Sequence, residues 1–223
     1  MAELWLVRHA QASFGTDDYD RLSELGHRQS RWLGQWFADR DIVFDRVVTG
    51  SLRRHRETLA GLREGGLGAA DAQAYAGLNE YEAEVLLRAH LGGQPLPPAP
   101  VDGDRRHHFR LLREALAGWA AGNLQCDAHL PFDAFARGAR EALAQATQPG
   151  AKRVLVVSSG GPISALIAGV LGAPAAAMVD LNLQMRNTGI SEFAFGGKAI
   201  RCVSFNGVPH LDLPERRGFV TYS

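Results

Sequence analysis

LWLVRH, residues 4–9, is a continuous run of four apolar side chains that ends abruptly at an arginine and a histidine. A strand that is buried on both faces has this pattern, which is typical of a central strand in a parallel sheet. A second strand pattern, Arg153 followed by four apolar residues at 154–157, also stops at polar and glycine residues. The two runs predict an α/β fold built around a buried sheet.

Helical patterns alternate with the strand patterns on either side of these runs. Residues 23–37 place apolar side chains on one helical face, and a short strand at 47–48 is followed by a polar helix over about 51–62. An apolar helix runs from the second apolar stretch to about residue 171. Alternating strands and helices favour right-handed parallel crossovers. We therefore expect a three-layer sandwich, in which helices flank a mostly parallel central sheet.

The middle of the chain has a different composition. Residues 65–74 are rich in glycine and alanine, and residues 92–103 are rich in glycine and proline, so both predict loops. Residues 104–148 have a helical pattern. We expect a single domain over residues 1–223, with a small helical lid inserted at about 65–130.

A turn is predicted near the end of the chain, where residues 190–195 and 199–205 flank a Gly-Gly-Lys sequence. Glycine permits the positive φ of a tight turn, so the two segments predict a hairpin. We place this hairpin at the edge of the sheet.

Composition excludes several classes of protein. Lysine plus arginine equals aspartate plus glutamate, at 24 each, so a nucleic-acid or anionic-membrane partner is not expected. Cys126 and Cys202 are far apart, which favours a reduced compartment. The first residues lack a signal-peptide pattern, and no apolar run has membrane-spanning length. We predict a soluble cytoplasmic protein; the sequence does not indicate its oligomeric state.

Residues suited to phosphate chemistry follow three predicted strands. Arg8 and His9 follow the first, Arg54 lies shortly after the second, and Ser159 and Gly160 follow the strand at 153–157. Ligands of open parallel sheets bind beyond the carboxyl ends of the strands, where these residues would meet.

Each of these residue types has a property that suits a phosphoryl ligand. Guanidinium groups bind phosphate oxygens in pairs, and backbone N–H groups at the start of the helix after Gly160 attract anions. A neutral imidazole such as His9 can attack phosphorus and form a phosphohistidine. A carboxylic acid is then needed to protonate the leaving alkoxide. No set of residues has metal-ligand spacing, and no cofactor is predicted.

With these residues assembled, the chain resembles the histidine phosphatase superfamily, the phosphoglycerate-mutase-like group. LVRHAQA at residues 6–12 is similar to its Arg-His-Gly signature. Further segments follow in the family's order: SELGHRQ at 23–29, SLRRHRET at 51–58, LNE at 78–80, VVSSGGPI at 156–163, and Asn206 with PHL at 209–211. The match covers nearly the whole chain.

The resemblance implies a role for each matched residue. His9 would be the nucleophile, Arg8 and Arg54 would clamp the phosphate, and Ser159 and Gly160 would contact it. The same resemblance implies Glu80 as the general acid, with Glu82 and Glu84 close by as alternatives.

The chain also departs from the family pattern. Ser159 stands where the family has a second histidine that helps hold the phosphoryl group, and loss of such a donor could cost on the order of 10²–10³ in rate. Gly15 stands where many members have asparagine, and Ala10 replaces the glycine after the nucleophile, where its Cβ is expected to restrict the loop.

Three other histidines are poor substitutes by sequence. His55 follows Arg54 by one helical position, so its side chain is expected to point about 100° away. His107 and His108 lie in the predicted lid and are expected to be solvated.

The resulting hypothesis is a metal-independent phosphomonoesterase that acts through His9 on a small phosphorylated substrate, or on a phosphoprotein. A catalytically weak, phosphate-binding or regulatory protein is the alternative that Ser159 suggests. A phosphoglycerate mutase ranks lower, because a mutase needs a closed, water-poor site and the predicted lid is short. A serine hydrolase ranks last, because no Gly-x-Ser-x-Gly segment surrounds Ser158 or Ser159.

Overall fold

The computed structural model describes residues 1–13, 18–96, 106–197 and 199–222. Its strands are β1 (Ala2–Arg8), β2 (Val43–Phe44), β3 (Arg46–Thr49), β4 (Gly68–Ala69), β5 (Ala72–Ala74), β6 (Arg153–Ser158), β7 (Ile190–Gly196) and β8 (Ala199–Gly207). Its α-helices are α1 (Glu24–Ala38), α2 (Arg53–Glu64), α3 (Ala83–His90), α4 (Arg106–Ala120), α5 (Phe132–Ala146), α6 (Gly160–Leu171) and α7 (Ala177–Leu183). None of these helices has the length and apolar character that a bilayer crossing requires.

The main sheet has the strand order β5-β3-β6-β1-β7-β8 in the described part of the chain. β1 pairs in parallel with β6, with Leu6 opposite Val156, and β3 pairs in parallel with β6 and β5. β7 pairs antiparallel with both β1 and β8. The mostly parallel sheet and the edge hairpin are therefore confirmed, and Gly197 has the positive φ, 60°, that its turn was expected to need.

Side chains of β1 alternate between two cores, as they must in a strand of the middle layer. Trp5 and Val7 pack in a cluster with apolar side chains of α1 and α2. Leu4 and Leu6 belong to a second cluster, which includes side chains of α5 and α6. Helices therefore cover both faces of the sheet, and the three-layer sandwich is confirmed.

A third apolar cluster joins α3, α4 and α7 to side chains of α5 and α6. α4 and α5 lie where the helical pattern predicted them. α3 and α7 were not predicted, because helices of eight and seven residues are too short to show a clear periodicity. The limits of the lid, about 65–130, stay a prediction.

The prediction of a loop over residues 65–74 was wrong at residues 68–69 and 72–74, which form strands. β4 pairs in parallel with β2, and β5 extends the main sheet by pairing in parallel with β3. The glycine, alanine and glutamine side chains of these strands have little intrinsic preference for β structure. Their conformation is set by backbone pairing with the neighbouring strands. The amino-acid composition of a segment carries no information about such pairing.

Gly34 brings α1 into direct contact with the backbone of α2. A methyl group at this position would lie 2.0 Å from the carbonyl oxygen of Leu62. We expect Gly34→Ala to lower the free energy of unfolding by about 1–3 kcal/mol in urea denaturation, because the helices must separate. Gly169→Ala in α6 is the matched control, since the space around Gly169 is open. There alanine is expected to raise that free energy by about 0.5–1 kcal/mol. Equal effects at both positions would contradict the close helix contact.

Candidate functional site

The segments that follow three parallel strands meet at one edge of the sheet. β1, β6 and β3 are neighbours, and their register puts Arg8 opposite Ser158 and ends β3 level with them. A cavity of about 1430 Å³ opens there, and its wall includes Arg8, Arg54 and Glu80. The rest of its wall comes from α3, α4, the residues around α7, and the C-terminal segment: among others Leu87, Phe109, Leu112, Leu183 and Tyr222.

His9 directly follows β1 and is 2 % exposed. Its Nδ1 atom lies 2.7 Å from the Ala10 carbonyl oxygen. Since a carbonyl oxygen only accepts hydrogen bonds, Nδ1 carries the hydrogen and Nε2 carries the lone pair. Burial above all, and then the positive charges of Arg54 and Arg8, hold the pKa of His9 well below its ordinary value. His9 is therefore a neutral imidazole at pH 7.

The loop after β1 is held by hydrogen bonds from α1 and α2. The backbone N–H of Ala10 donates to Thr58 Oγ1 at 3.0 Å, and the Thr58 hydroxyl donates to the Arg54 carbonyl at 2.7 Å. The backbone N–H of Gln11 donates to Gln29 Oε1 at 2.9 Å. Ala10 does not have a positive φ, so its Cβ is accommodated without backbone strain. Gln29 and Thr58, one from each of two sequence motifs, thus support the loop that carries the candidate nucleophile.

Two arginines are buried at the site: Arg8 is 8 % exposed and Arg54 is 6 % exposed. Arg8 donates to the backbone carbonyl groups of Met185 and Tyr222, the latter at 2.7 Å, while Arg54 donates to the Asp20 carboxylate at 2.7 Å. The Nε atom of each arginine is buried and has no hydrogen-bond partner among the described residues. A ligand with several anionic oxygens would satisfy these donors.

The start of α6 lies in the same place. Ser159 precedes the helix without capping it through its side chain, and the backbone N–H of Gly161 donates to Glu80 Oε1 at 2.9 Å. A methyl group at Gly160 would lie 2.3 Å from Asn182 Oδ1, and one at Gly161 would lie 2.2 Å from Glu80 Oε1. Glycine is required here by the close approach of neighbouring side chains, and the positive end of α6 faces the site.

Glu80 is held in the cavity wall by its preceding residues. Ser158 Oγ donates to the Leu78 carbonyl at 2.7 Å, and Asn79 Oδ1 accepts from the Ser51 backbone N–H at 2.7 Å. Burial raises the pKa of Glu80 above the ordinary carboxyl value, although two arginine charges act in the opposite direction. The carboxyl group therefore retains its proton to a higher pH than a solvated one.

Glu82 and Glu84 have a different environment. Both are exposed, and Glu84 forms an ion pair with Arg88 at 2.5 Å on the surface of α3. They line the outer part of the same cavity, whereas Glu80 contacts the start of α6. Which of the three carboxyl groups protonates the leaving group stays a prediction.

The expectation that His55 would point away from the site was wrong, although its rotation from Arg54 on the helix is as expected. His55 is 0 % exposed, its ring centroid lies 5.8 Å from that of His9, and its Nε2 atom lies 2.7 Å from Ser159 Oγ. Burial, followed by the charge of Arg54, lowers the pKa of His55 to about 3, and its contact with the Gly50 backbone acts the other way. A rotation of 100° separates His55 from Arg54 on the helix. Both nevertheless reach the site, because α2 begins at the rim and its first turn faces the ends of β1 and β6. The sequence signal that could have identified His55 as a site residue is its position directly after the arginine of a family motif.

The remaining residues that the sequence singled out lie elsewhere. His107 is exposed on α4 and accepts from Arg110 at 2.9 Å, while His108 lies in the cavity wall. Gly15 lies outside the described residues. Across the described ranges, no group of three or more histidine, cysteine or carboxylate side chains could hold a metal ion.

Asn206 and His210, from the last motif of the sequence, form hydrogen bonds with residues that support the site. The His210 Nε2 atom lies 2.8 Å from Thr188 Oγ1, and the backbone N–H of Thr188 donates to the Arg8 carbonyl at 3.1 Å. Asn206 accepts from the Arg186 backbone N–H at 2.8 Å and donates to the Gln184 carbonyl at 2.8 Å. Asn206 therefore bonds the backbone of the segment before β7, and His210 bonds the side chain of Thr188, whose backbone contacts Arg8.

The sequence model of the histidine phosphatase superfamily (branch 1) matches residues 4–87 and 106–207 of the chain. This match includes every motif segment through β8. No curated protein matches the chain significantly in sequence.

Solved structures with the same fold include several phosphatases. A phosphoserine phosphatase from Entamoeba histolytica, in complex with 3-phosphoglyceric acid, has a TM-score of 0.66 and 22 % identity, covering 95 % of this chain and all of its own. The mycobacterial glucosyl-3-phosphoglycerate phosphatase has a TM-score of 0.64 and 23 % identity, covering 93 % of this chain and 99 % of its own. The α-ribazole phosphatase of Shigella flexneri has a TM-score of 0.63 and 20 % identity, covering 92 % of this chain and 96 % of its own. At these identities the likeness shows the fold.

Proposed function

Because the chain belongs to the histidine phosphatase superfamily, we propose that it hydrolyses phosphomonoesters through a phosphohistidine formed on His9. One observation carries the proposal: His9 is a buried, neutral imidazole with its lone pair on Nε2, and beside it lie two buried arginines whose Nε groups have no partner among the described residues. A neutral imidazole is a competent nucleophile, and guanidinium groups are the side chains best suited to hold a phosphoryl group beside it.

In the first step, the Nε2 lone pair of His9 attacks phosphorus and the bond to the ester oxygen breaks. Glu80 donates its proton to that oxygen, so the alcohol leaves neutral and Glu80 becomes a carboxylate. In the second step, water attacks phosphorus while Glu80 takes a proton from it, and the P–N bond breaks. The electron pair returns to Nε2, and inorganic phosphate leaves.

The phosphoryl oxygens would be held by groups that the fold already orients. Arg8 and Arg54 supply charged donors, and Ser159 and the backbone at Gly160 supply neutral donors at the positive end of α6. Donors that are fixed before reaction stabilise the charge that develops on the transferring group. Their arrangement supports phosphoryl transfer better than acyl transfer, which would leave both arginines without a role.

We propose that the substrate is a phosphorylated small molecule with a substantial organic part. The cavity of about 1430 Å³ is larger than a phosphate needs, and apolar side chains of α3 and α4 line much of it. Its wall also carries Arg88 and Arg113, which pair with Glu84 and Asp180 and would have to exchange these partners to bind a second anionic group of the substrate. A panel of aryl phosphate, phosphoserine, phosphorylated sugar acids and a phosphoserine peptide would rank these classes by kcat/KM. A phosphoprotein substrate would favour the peptide.

The proposal is tested by trapping the intermediate. The protein is mixed with a 32P-labelled phosphomonoester in the presence of a chelator, and the reaction is quenched in alkali within milliseconds. We expect acid-labile, alkali-stable label on His9, and turnover that the chelator leaves unchanged. Turnover without labelled protein would rule out the covalent route, and turnover that the chelator abolishes would rule out a metal-independent one.

A phosphate-binding protein with little activity is the alternative that Ser159 suggests. It gives a different result in the same experiment: inorganic phosphate stabilises the fold, but neither labelled protein nor released alcohol accumulates. A cytoplasmic location and a lack of nucleic-acid partners stay predictions from the sequence.

A further inference from the structure

His55 is a buried histidine that the proposed mechanism does not use. Its ring lies 5.8 Å from the His9 ring, centroid to centroid, and its Nε2 atom lies 2.7 Å from Ser159 Oγ. The two partners are 104 positions apart in the sequence and both are 0 % exposed. The first turn of α2 therefore delivers a second imidazole to the residue that follows β6.

The Ser159 hydroxyl has a single hydrogen, and His55 controls where it points. The hydroxyl does not cap α6, and within the described ranges its side-chain hydrogen bond is the one to His55. When Nε2 of His55 carries a hydrogen, the imidazole donates to Ser159 and the serine hydrogen is free to donate elsewhere. When Nε2 lacks a hydrogen, the serine donates to the imidazole instead.

Packing alone does not explain a histidine at position 55. Its Nδ1 atom is buried against the Gly50 backbone and forms no hydrogen bond of normal geometry among the described residues. A methyl group at Gly50 would lie 2.2 Å from this atom, so the neighbouring residue has to be glycine to admit the ring. An apolar side chain would fill the same volume and leave no polar atom unsatisfied.

We propose that His55 is a positioning residue that acts through Ser159: its Nε2–H donates to the serine hydroxyl, which in turn donates to the phosphoryl group on His9. The inference rests on the proposed function, because it concerns the same phosphoryl group. No proton is transferred along the pair; the two hydrogen bonds aim a fixed donor at developing negative charge. The pair thus takes the place of a single histidine at position 159.

The inference can be tested by exchanging the side chains at positions 55 and 159, because the site has space for one imidazole between them. The His55 ring already lies at hydrogen-bond distance from Ser159 Oγ, so Ser159→His would direct a second imidazole into it. We expect Ser159→His alone to lower activity. A site that had simply lost its second histidine would instead gain activity from the same change.

The experiment compares kcat and KM for an aryl phosphate in the parent protein, His55→Ala, Ser159→His and the double variant. We expect His55→Ala to lower kcat about 10²-fold with a smaller change in KM, since the donor acts mainly in the transition state. The double variant is expected to recover to within about tenfold of the parent, because one imidazole again occupies the site. Free imidazole in the buffer should partly restore His55→Ala.

Two further variants separate this role from folding. His55→Gln retains a side-chain N–H donor and is expected to keep more activity than His55→Ala. His210→Ala is the matched control, because His210 is similarly buried, contacts a hydroxyl at 2.8 Å and has an Nδ1 atom with no partner in the described part of the chain. It should lose thermal stability, and free imidazole should not restore its rate.

A parent-like kcat in His55→Ala, or a gain in Ser159→His, would overturn the role of His55. Phosphohistidine would still form on His9 in that case, so the proposed function would stand. If no phosphohistidine formed in the parent protein, both the proposed function and the role of His55 would be ruled out.

Discussion

His9→Asn is expected to lower kcat for an aryl phosphate by about 10⁴- to 10⁶-fold, because it removes the nucleophile. The asparagine amide retains an N–H near the position of Nδ1, so the hydrogen bond to the Ala10 carbonyl and the shape of the loop should persist. Steady-state rates and alkaline-quench labelling measure the effect. No labelled protein should accumulate.

Phosphate binding separates the loss of chemistry from the loss of structure in this variant. Inorganic phosphate should raise the Tm of His9→Asn as it does that of the parent, since Arg8 and Arg54 remain in place. His27→Asn, which changes a partly buried histidine of α1, is the matched control and should keep the parent kcat. If His9→Asn hydrolysed the aryl phosphate as fast as the parent protein, His9 would not be the nucleophile.

Glu80→Gln is expected to lower kcat for alkyl phosphates by about 10²- to 10⁴-fold, because an alkoxide needs a proton in order to leave. A p-nitrophenolate leaves without protonation, so the loss for p-nitrophenyl phosphate should be much smaller. The ratio of the two losses is the measurement. It distinguishes a general acid from a residue that merely supports the fold, whose loss would affect both substrates alike.

The pH dependence of kcat in the parent protein should report the protonation of Glu80. Burial raises the pKa of Glu80, so the protonated, donating form persists above the range of a solvated carboxyl group and is lost as pH rises through the shifted pKa. We expect kcat for alkyl phosphates to fall over that pH range in the parent. The fall should be absent in Glu80→Gln.

Glu82→Gln and Glu84→Gln are the matched controls, since each removes a charge from a nearby exposed carboxylate. Both should retain the parent's rates and its leaving-group dependence. If Glu82→Gln showed the large loss on alkyl phosphates instead, the acid would be Glu82 and the contact of Glu80 with α6 would be structural.

The order of elements and the place of Arg8 and His9 could be predicted from sequence for a simple reason. Apolar runs report burial on both faces of a strand, and parallel strands direct their carboxyl ends to one edge. The short elements were not predicted. α3 and α7 have too few residues to show a helical hydrophobic period, and β5 has a composition that does not favour strands. Their conformation depends on what they pack against.

By itself, the sequence determined the α/β sandwich and brought Arg8, His9 and Arg54 forward as a phosphate site, because local patterns and chain order carry that information. Glu80 was implied by the resemblance to the histidine phosphatase superfamily. Only the tertiary structure decided that His55 meets Ser159. Helical geometry fixes the angle between neighbouring side chains on α2, but the direction in which that helix faces the sheet depends on how its buried stripe packs against α1 and β6. A contact between residues 104 positions apart is set by that packing and by no local pattern.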